Sequence, residues 1–170
     1  MPGDVKNYQT KEYWNERVKR FIKMGDLKNL LFITKRFDDY TKRAEALLKA
    51  IVEPNWRFLD VGCGYGRFYP IIRKIGARYV GIDFSEEMIR LAREKYPTGD
   101  FRIMSWENIN DLGKFDCIFE NNCLHSFGNK EKFIKTIKKN ISKDGCYILS
   151  ELNCIEIGYY YEEYEGWDNL

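Results

Sequence analysis

A single histidine and five cysteines leave this 170-residue chain little material for metal or disulfide chemistry. The cysteines, at positions 63, 117, 123, 146 and 154, are odd in number and contain no Cys-x-x-Cys pair. Neither a zinc site nor a disulfide framework is indicated, and the thiols are expected to be reduced and mostly in the core. Long apolar runs are missing as well. No stretch approaches the ~18 residues of a membrane helix, and the N-terminus lacks the apolar segment of a secretion signal. A soluble, cytoplasmic protein without a membrane partner is the expectation. The net charge of only +2 argues against a strong nucleic-acid footprint. It is unevenly spread: residues 11–50 carry eleven Lys or Arg against six acids, and residues 151–170 carry six acids and no base. Solvated faces account for both, although a basic front and an acidic tail are also able to meet.

What is present is ample for one packed domain, with 44% hydrophobic and 16% aromatic residues. Its organising stretch runs from Phe58 to Phe68. Phe58, Leu59 and Val61 favour a buried strand, and Gly62, Gly64 and Gly66 allow a turn that brings backbone close to a ligand. A helix follows at once, with Phe68, Ile71, Ile72 and Ile75 at helical spacing, Pro70 in the first turn and Gly76 just past the end. Its N-terminus faces the loop and favours an anionic ligand group. Such a turn alone is also compatible with tight packing. The next strand, Ala77 to Phe84, strengthens the ligand reading, because it ends on Asp83, seventeen residues after Gly66. That is where a nucleotide-binding α/β sheet sets an acid to accept both ribose hydroxyls.

These residues resemble the class I S-adenosyl-L-methionine-dependent methyltransferases. Asp60 with Gly62, Gly64 and Gly66 is similar to that family's first motif, and Gly81-Ile82-Asp83-Phe84-Ser85 to its second. Phe115 through His125 resembles the fourth strand and its loop, and Lys143 through Glu151 the turn into the fifth. The resemblance covers roughly residues 55 to 152. It implies a doubly wound, mostly parallel Rossmann-like α/β sheet with an N-terminal helical lid and an abbreviated C-terminal part. The expected division is 1–54 lid, 55–152 cofactor-binding core and 153–170 acidic aromatic tail.

The resemblance also implies site residues. Asp60, Gly62, Cys63 and Gly64 would serve the methionine end of S-adenosyl-L-methionine, and Asp83 the ribose. Phe84 would flank the adenine, with Met88 in the helix beside it, and Glu120 or Asn121 would meet the methionine ammonium. Relatives usually carry an acid where this chain has Ser105, so a hydroxyl replaces a carboxylate near the adenine, with Trp106 available to cover its face. Tyr13 and Trp14, in a helix expected from Thr10 to about Met24 with Ile22 inward, are candidates for a substrate lid or for plain core anchoring. A second helix is expected to end at Val52, with Leu47 among its inward residues. His125 is the one side chain suited to act as a general base near neutral pH, and a structural hydrogen bond is its competing role.

The implied reaction is transfer of the sulfonium methyl group to an O, N or C nucleophile of a small-molecule acceptor. The amino-methylase signature Asn/Asp-Pro-Pro-Tyr is replaced by Asn121-Asn122-Cys123-Leu124, so nucleic acid is not favoured. An NAD(P)-dependent oxidoreductase requires Gly-x-Gly-x-x-Gly, and Gly66 arrives one residue early for it. A non-catalytic cofactor-binding protein stays open. Only about eighteen residues follow Leu152, and the tail is expected to cover its own sheet edge or that of a second copy in a homodimer. Two hydroxyl-to-carboxylate hydrogen bonds contribute about 1.5–3 kcal/mol each before desolvation. Asp83→Ala is therefore expected to weaken cofactor binding at least about tenfold with the fold retained; unchanged affinity by calorimetry would remove the ribose assignment.

Overall fold

In the computed structural model, residues 10–25 and 35–150 are described. The tail at 153–170 and most of 27–37 lie outside them. Helix α1 (Lys11–Lys23) and helix α2 (Lys35–Ile51) precede strand β1 (Arg57–Val61). Then come α3 (Tyr69–Ile75), β2 (Arg78–Asp83), α4 (Glu86–Lys95) and β3 (Asp100–Ile103). A 3-10 helix (Trp106–Leu112), β4 (Phe115–Asn121), a short turn (Leu124–Ser126), α5 (Lys130–Asn140) and β5 (Ile141–Ser150) complete the order. The strands form one sheet in the order β3-β2-β1-β4-β5, and every pairing is parallel. The sheet was expected to be mostly parallel; among the described residues no antiparallel strand joins it.

Local chemistry sets the boundaries. Thr10 accepts the Tyr13 N–H at the start of α1, and Ser85 accepts the Met88 N–H at the start of α4. Gly76 ends α3 at φ 90°, a left-handed cap that only glycine adopts without strain.

Strand alternation divides the core into two layers. Phe58, Cys117 and Phe119 face α2, α3 and α4, where they meet Leu48, Ile72 and Ile89. Leu59, Val61 and Ile118 face the 3-10 helix and α5, packing with Ile109, Phe133 and Ile137. Helix α1 docks separately on α4 through Val18, Phe21 and Met88. Its inward stripe differs from the expected one. Ile22 is 38% exposed whereas Arg17 is buried, its guanidinium lying 4.9 Å from the Phe21 ring centroid and its stem covering apolar surface. Leu47 of α2 is likewise turned outward, because Ala44 and Leu48 carry the contact with the sheet.

The strand order brings the loop after β1 and the loop after β4 together at the carboxyl end of the sheet. Gly62, at φ 70°, lies so close to Cys123 that a Cβ there would sit 2.5 Å from its sulfur. The Cys123 thiol in turn donates to the Val61 carbonyl at 3.2 Å. Gly62→Ala is expected to destabilise by more than the about 1–2 kcal/mol of a left-handed conformation alone, and Cys123→Ala in the same chain should recover part of the loss. Denaturant unfolding of the two single variants and the double variant measures this; strict additivity would show that the contact does not constrain the loop.

Candidate active site

The crevice opens where the chain reverses its progress across the sheet, between β1 and β4. The Gly62 and Cys63 N–H groups both donate to the Ile82 carbonyl, at 2.9 and 3.0 Å, which ties the glycine loop to the end of β2. Gly62, Gly64 and Gly66 all have positive φ. At Gly64 an added Cβ would approach no closer than 3.8 Å to Met88 Sδ, so conformation rather than crowding calls for glycine there. Asp83 is held from both sides, its Oδ2 accepting the Gly64 N–H at 3.0 Å and its Oδ1 the Ser85 N–H at 2.8 Å. Each oxygen keeps further acceptor capacity, which fits a ribose diol.

A second carboxylate lies beneath the loop. Asp60 is buried and accepts a 2.8 Å hydrogen bond from the Tyr79 hydroxyl. Tyr79 reaches it by passing Gly81, where a Cβ would stand 2.7 Å from the phenol oxygen and 3.0 Å from Cys63 Sγ. Burial is the main influence on both acids. It raises Asp60 to about 7 against the pull of Tyr79 and Arg67, and Asp83 to about 6 against the N–H groups of Ser85, Gly64 and Phe84. Burial, with Asp60 and Asp83 nearby, also pushes the Cys63 thiol well up, so Cys63 is a packing residue and not a thiolate at neutral pH.

The other expected residues divide between crevice and core. Phe84 is half-buried directly after β2, and Met88 is buried under Gly64 against α1. Ser105 follows β3 but caps the 3-10 helix, accepting the Glu107 N–H at 3.3 Å. The Trp106 ring packs 5.4 Å from Phe133 and 5.7 Å from Phe127. One oxygen of Glu120 is engaged by the Cys123 and Leu124 N–H groups and so holds the turn after β4. The Asn121 oxygen accepts from Arg67 and keeps one further acceptor site. His125 lies in the turn after β4; its side chain is outside the described set. Trp14 packs against the cluster of Val18, Phe21 and Met88, and Tyr13 stands edge-on to it at 5.4 Å.

Sequence reasoning missed three contributors. Asn15 reaches from α1 to accept from the Ser85 hydroxyl at 2.7 Å and the Glu87 N–H at 3.3 Å, which seats α1 at the start of α4 beside Asp83. Tyr79 was read only as a strand residue; the glycine two places on was the available signal. Arg67 was read only as part of the turn.

A parallel sheet in this order, a glycine loop after its central strand and a fixed acid at the tip of the next define a Rossmann-like, S-adenosyl-L-methionine-dependent methyltransferase domain of class I. Residues 52–164 match the family model described as a methyltransferase domain, and the chain belongs to that family. It is similar to the ubiquinone biosynthesis O-methyltransferase of Pelagibacter ubique, 31% identical over 58% of this chain and 43% of that protein. The enzyme of the same name from Agrobacterium fabrum is 30% identical over 57% of this chain and 41% of its own length. The chain thus spans less than half the length of these curated relatives. The fold is shared with the plantazolicin methyltransferase BpumL, crystallised in complex with a pentazolic desmethylPZN analogue and SAH: TM-score 0.65, 20% identity, 94% of this chain and 65% of that one. No helix among the described residues is long and apolar enough to cross a membrane.

The two raised acids give a pH prediction. Between the ordinary carboxylate value of 3.8 and about 7 the folded state binds more protons than the unfolded state. Stability of the ligand-free protein is therefore expected to be fullest near pH 4, to fall as pH rises through 6 and 7, and to level above. Asp60→Asn should flatten the upper part of that fall. Denaturant midpoints across this range check the sign; a midpoint that rises between pH 5 and 7.5 in the wild type would contradict it.

Proposed function

We propose that this chain transfers the methyl group of S-adenosyl-L-methionine to an oxygen nucleophile on a small molecule. The observation that carries the reading is the Asp83 carboxylate, oriented by the Gly64 and Ser85 N–H groups at the lip of a positive-φ glycine loop. An acid fixed in that way accepts a diol, while the bare backbone of Gly62 and Gly64 admits a close ligand. The names of the curated relatives support oxygen as the acceptor atom.

When bound, the cofactor supplies a methyl group already activated on a sulfonium, so the residues have modest tasks. Asp83 orients the ribose and thereby sets the line of displacement. Asp60 offers negative charge beneath the methionine end through the loop it supports. The Asn122 side-chain oxygen, an acceptor buried without a partner in the loop after β4, suits the ammonium, beside Glu120 and Asn121 at the end of the strand. Phe84 and the turn at Ser105 and Trp106 bound the adenine side, Met88 backs the loop, and α1 with Tyr13 and Trp14 shields the crevice from water. His125, in the turn that closes the acceptor side, takes the acceptor's hydroxyl proton as general base.

Calorimetry is expected to detect S-adenosylhomocysteine binding and no binding of NAD, and labelled methyl groups should pass to phenolic acceptors. His125→Ala should lower turnover about a hundredfold with cofactor affinity nearly unchanged. Cofactor binding without transfer to any acceptor pool would leave a binding protein; a lower melting temperature with intact turnover in His125→Ala would make that residue structural.

A further inference from the structure

Helix α4 begins on N–H groups that no carbonyl within the helix can reach. Ser85, the residue before it, takes one of them, its Oγ accepting the Met88 N–H at 3.2 Å. The Glu87 N–H is met from outside the segment, by the side-chain oxygen of Asn15 on α1 at 3.3 Å. That oxygen also accepts from the Ser85 hydroxyl at 2.7 Å, and so carries two donors, the full capacity of a carbonyl oxygen. A backbone N–H can only donate, which fixes the Asn15 amide with its oxygen towards α4. The start of α4 is thus capped jointly by its own serine and by an asparagine lent from another helix.

This shared cap bears directly on Asp83. Ser85 is fully buried, its hydroxyl tied to Asn15 and its N–H to Asp83 Oδ1 at 2.8 Å. Burial raises the Asp83 pKa, and the Ser85 N–H stands first among the groups that oppose the rise. Further along α1, Val18 and Phe21 pack on Met88, which lies beneath Gly64. A third polar contact between the helices, Lys11 with Glu86 at 3.4 Å, is solvent-exposed on both sides and contributes little to their seating.

We propose that Asn15 is a positioning residue for the cofactor: through the Ser85 hydroxyl it fixes the backbone N–H that aims Asp83 at the ribose. The proposal rests on the methyltransferase reading above, in which Asp83 accepts the ribose diol. It gives α1 a task beyond shielding the crevice. Without the Asn15 oxygen, the first turn of α4 holds an unmet donor and a serine hydroxyl free to rotate, and the carboxylate steered by that serine loses its single orientation. The coupling runs both ways, so a ligand that draws on Asp83 also tightens the seating of α1.

The test is a double-mutant cycle on the full chain, with S-adenosylhomocysteine affinity measured by calorimetry for the wild type, Asn15→Ala, Asp83→Ala and the double variant. Asn15→Ala is expected to weaken binding about threefold to tenfold, the effect of a hydrogen bond. In the Asp83→Ala background the same substitution should change affinity by less than about twofold, because the group it acts through is gone. Asn15→Asp, which keeps an oxygen for both donors, should recover most of the wild-type affinity. Ser85→Ala cuts the tie from the α4 side and should show the same loss with the same dependence on Asp83. Unfolding midpoints without ligand establish that the variants are folded. Wild-type affinity in Asn15→Ala, whatever its midpoint, overturns the proposal and leaves Asn15 a helix cap alone. So does a loss equally large in the Asp83→Ala background, which would make α1 a plain cover. Failure of the wild type to bind S-adenosylhomocysteine would remove the underlying reading and this proposal with it.

Discussion

Two carboxylates are buried a short distance apart under one glycine loop, and neither forms an ion pair among the described residues. Burying acids in this way is costly unless donors are arranged around them. The surrounding structure supplies those donors in different ways. Asp60 depends on a phenol that crosses from the neighbouring strand through the gap left by Gly81, and Asp83 depends on backbone N–H groups from the loop and from the start of α4. Loop conformation, strand register and helix start are therefore bound to one another by the requirement to hold two anions at the mouth of the sheet.

Much of this was legible in the chain because the signals are local. The glycine spacing, the acid ending β2, the Thr10 cap and the left-handed Gly76 each act within a few residues, and each is found where periodicity and turn chemistry put it. What was not legible is long-range. Tyr79 meets Asp60 across 19 positions, Arg67 meets Asn121 across 54 and Asn15 meets Ser85 across 70. No periodicity encodes such pairs. The misjudged faces of α1 and α2 have a related cause. Arg17 hides a charge over Phe21 while Ile22 and Leu47 look outward.

Side chains at the tip of β4 carry a further lesson about roles assigned by position. Glu120 and Asn121 both stand where the resemblance implies a cofactor contact; one Glu120 oxygen also holds the next turn together, and the Asn121 oxygen also accepts from Arg67. Donor and acceptor polarity, once the partners are known, decides what each can receive.

The strand order also governs how the molecule comes to exist. β1 is central, but its second neighbour, β4, begins 58 positions after β1 does, and only after β2 and β3 have been laid down on the other side. A chain emerging from the ribosome thus holds a half-sheet in which β1 is an open edge, and the face that carries Leu59 and Val61 lacks its α5 cover until Phe133 and Ile137 arrive. Such late, long-range closure slows folding and leaves an adhesive surface in the interval. The same edge that later opens the crevice between β1 and β4 is, for the nascent chain, its most vulnerable surface.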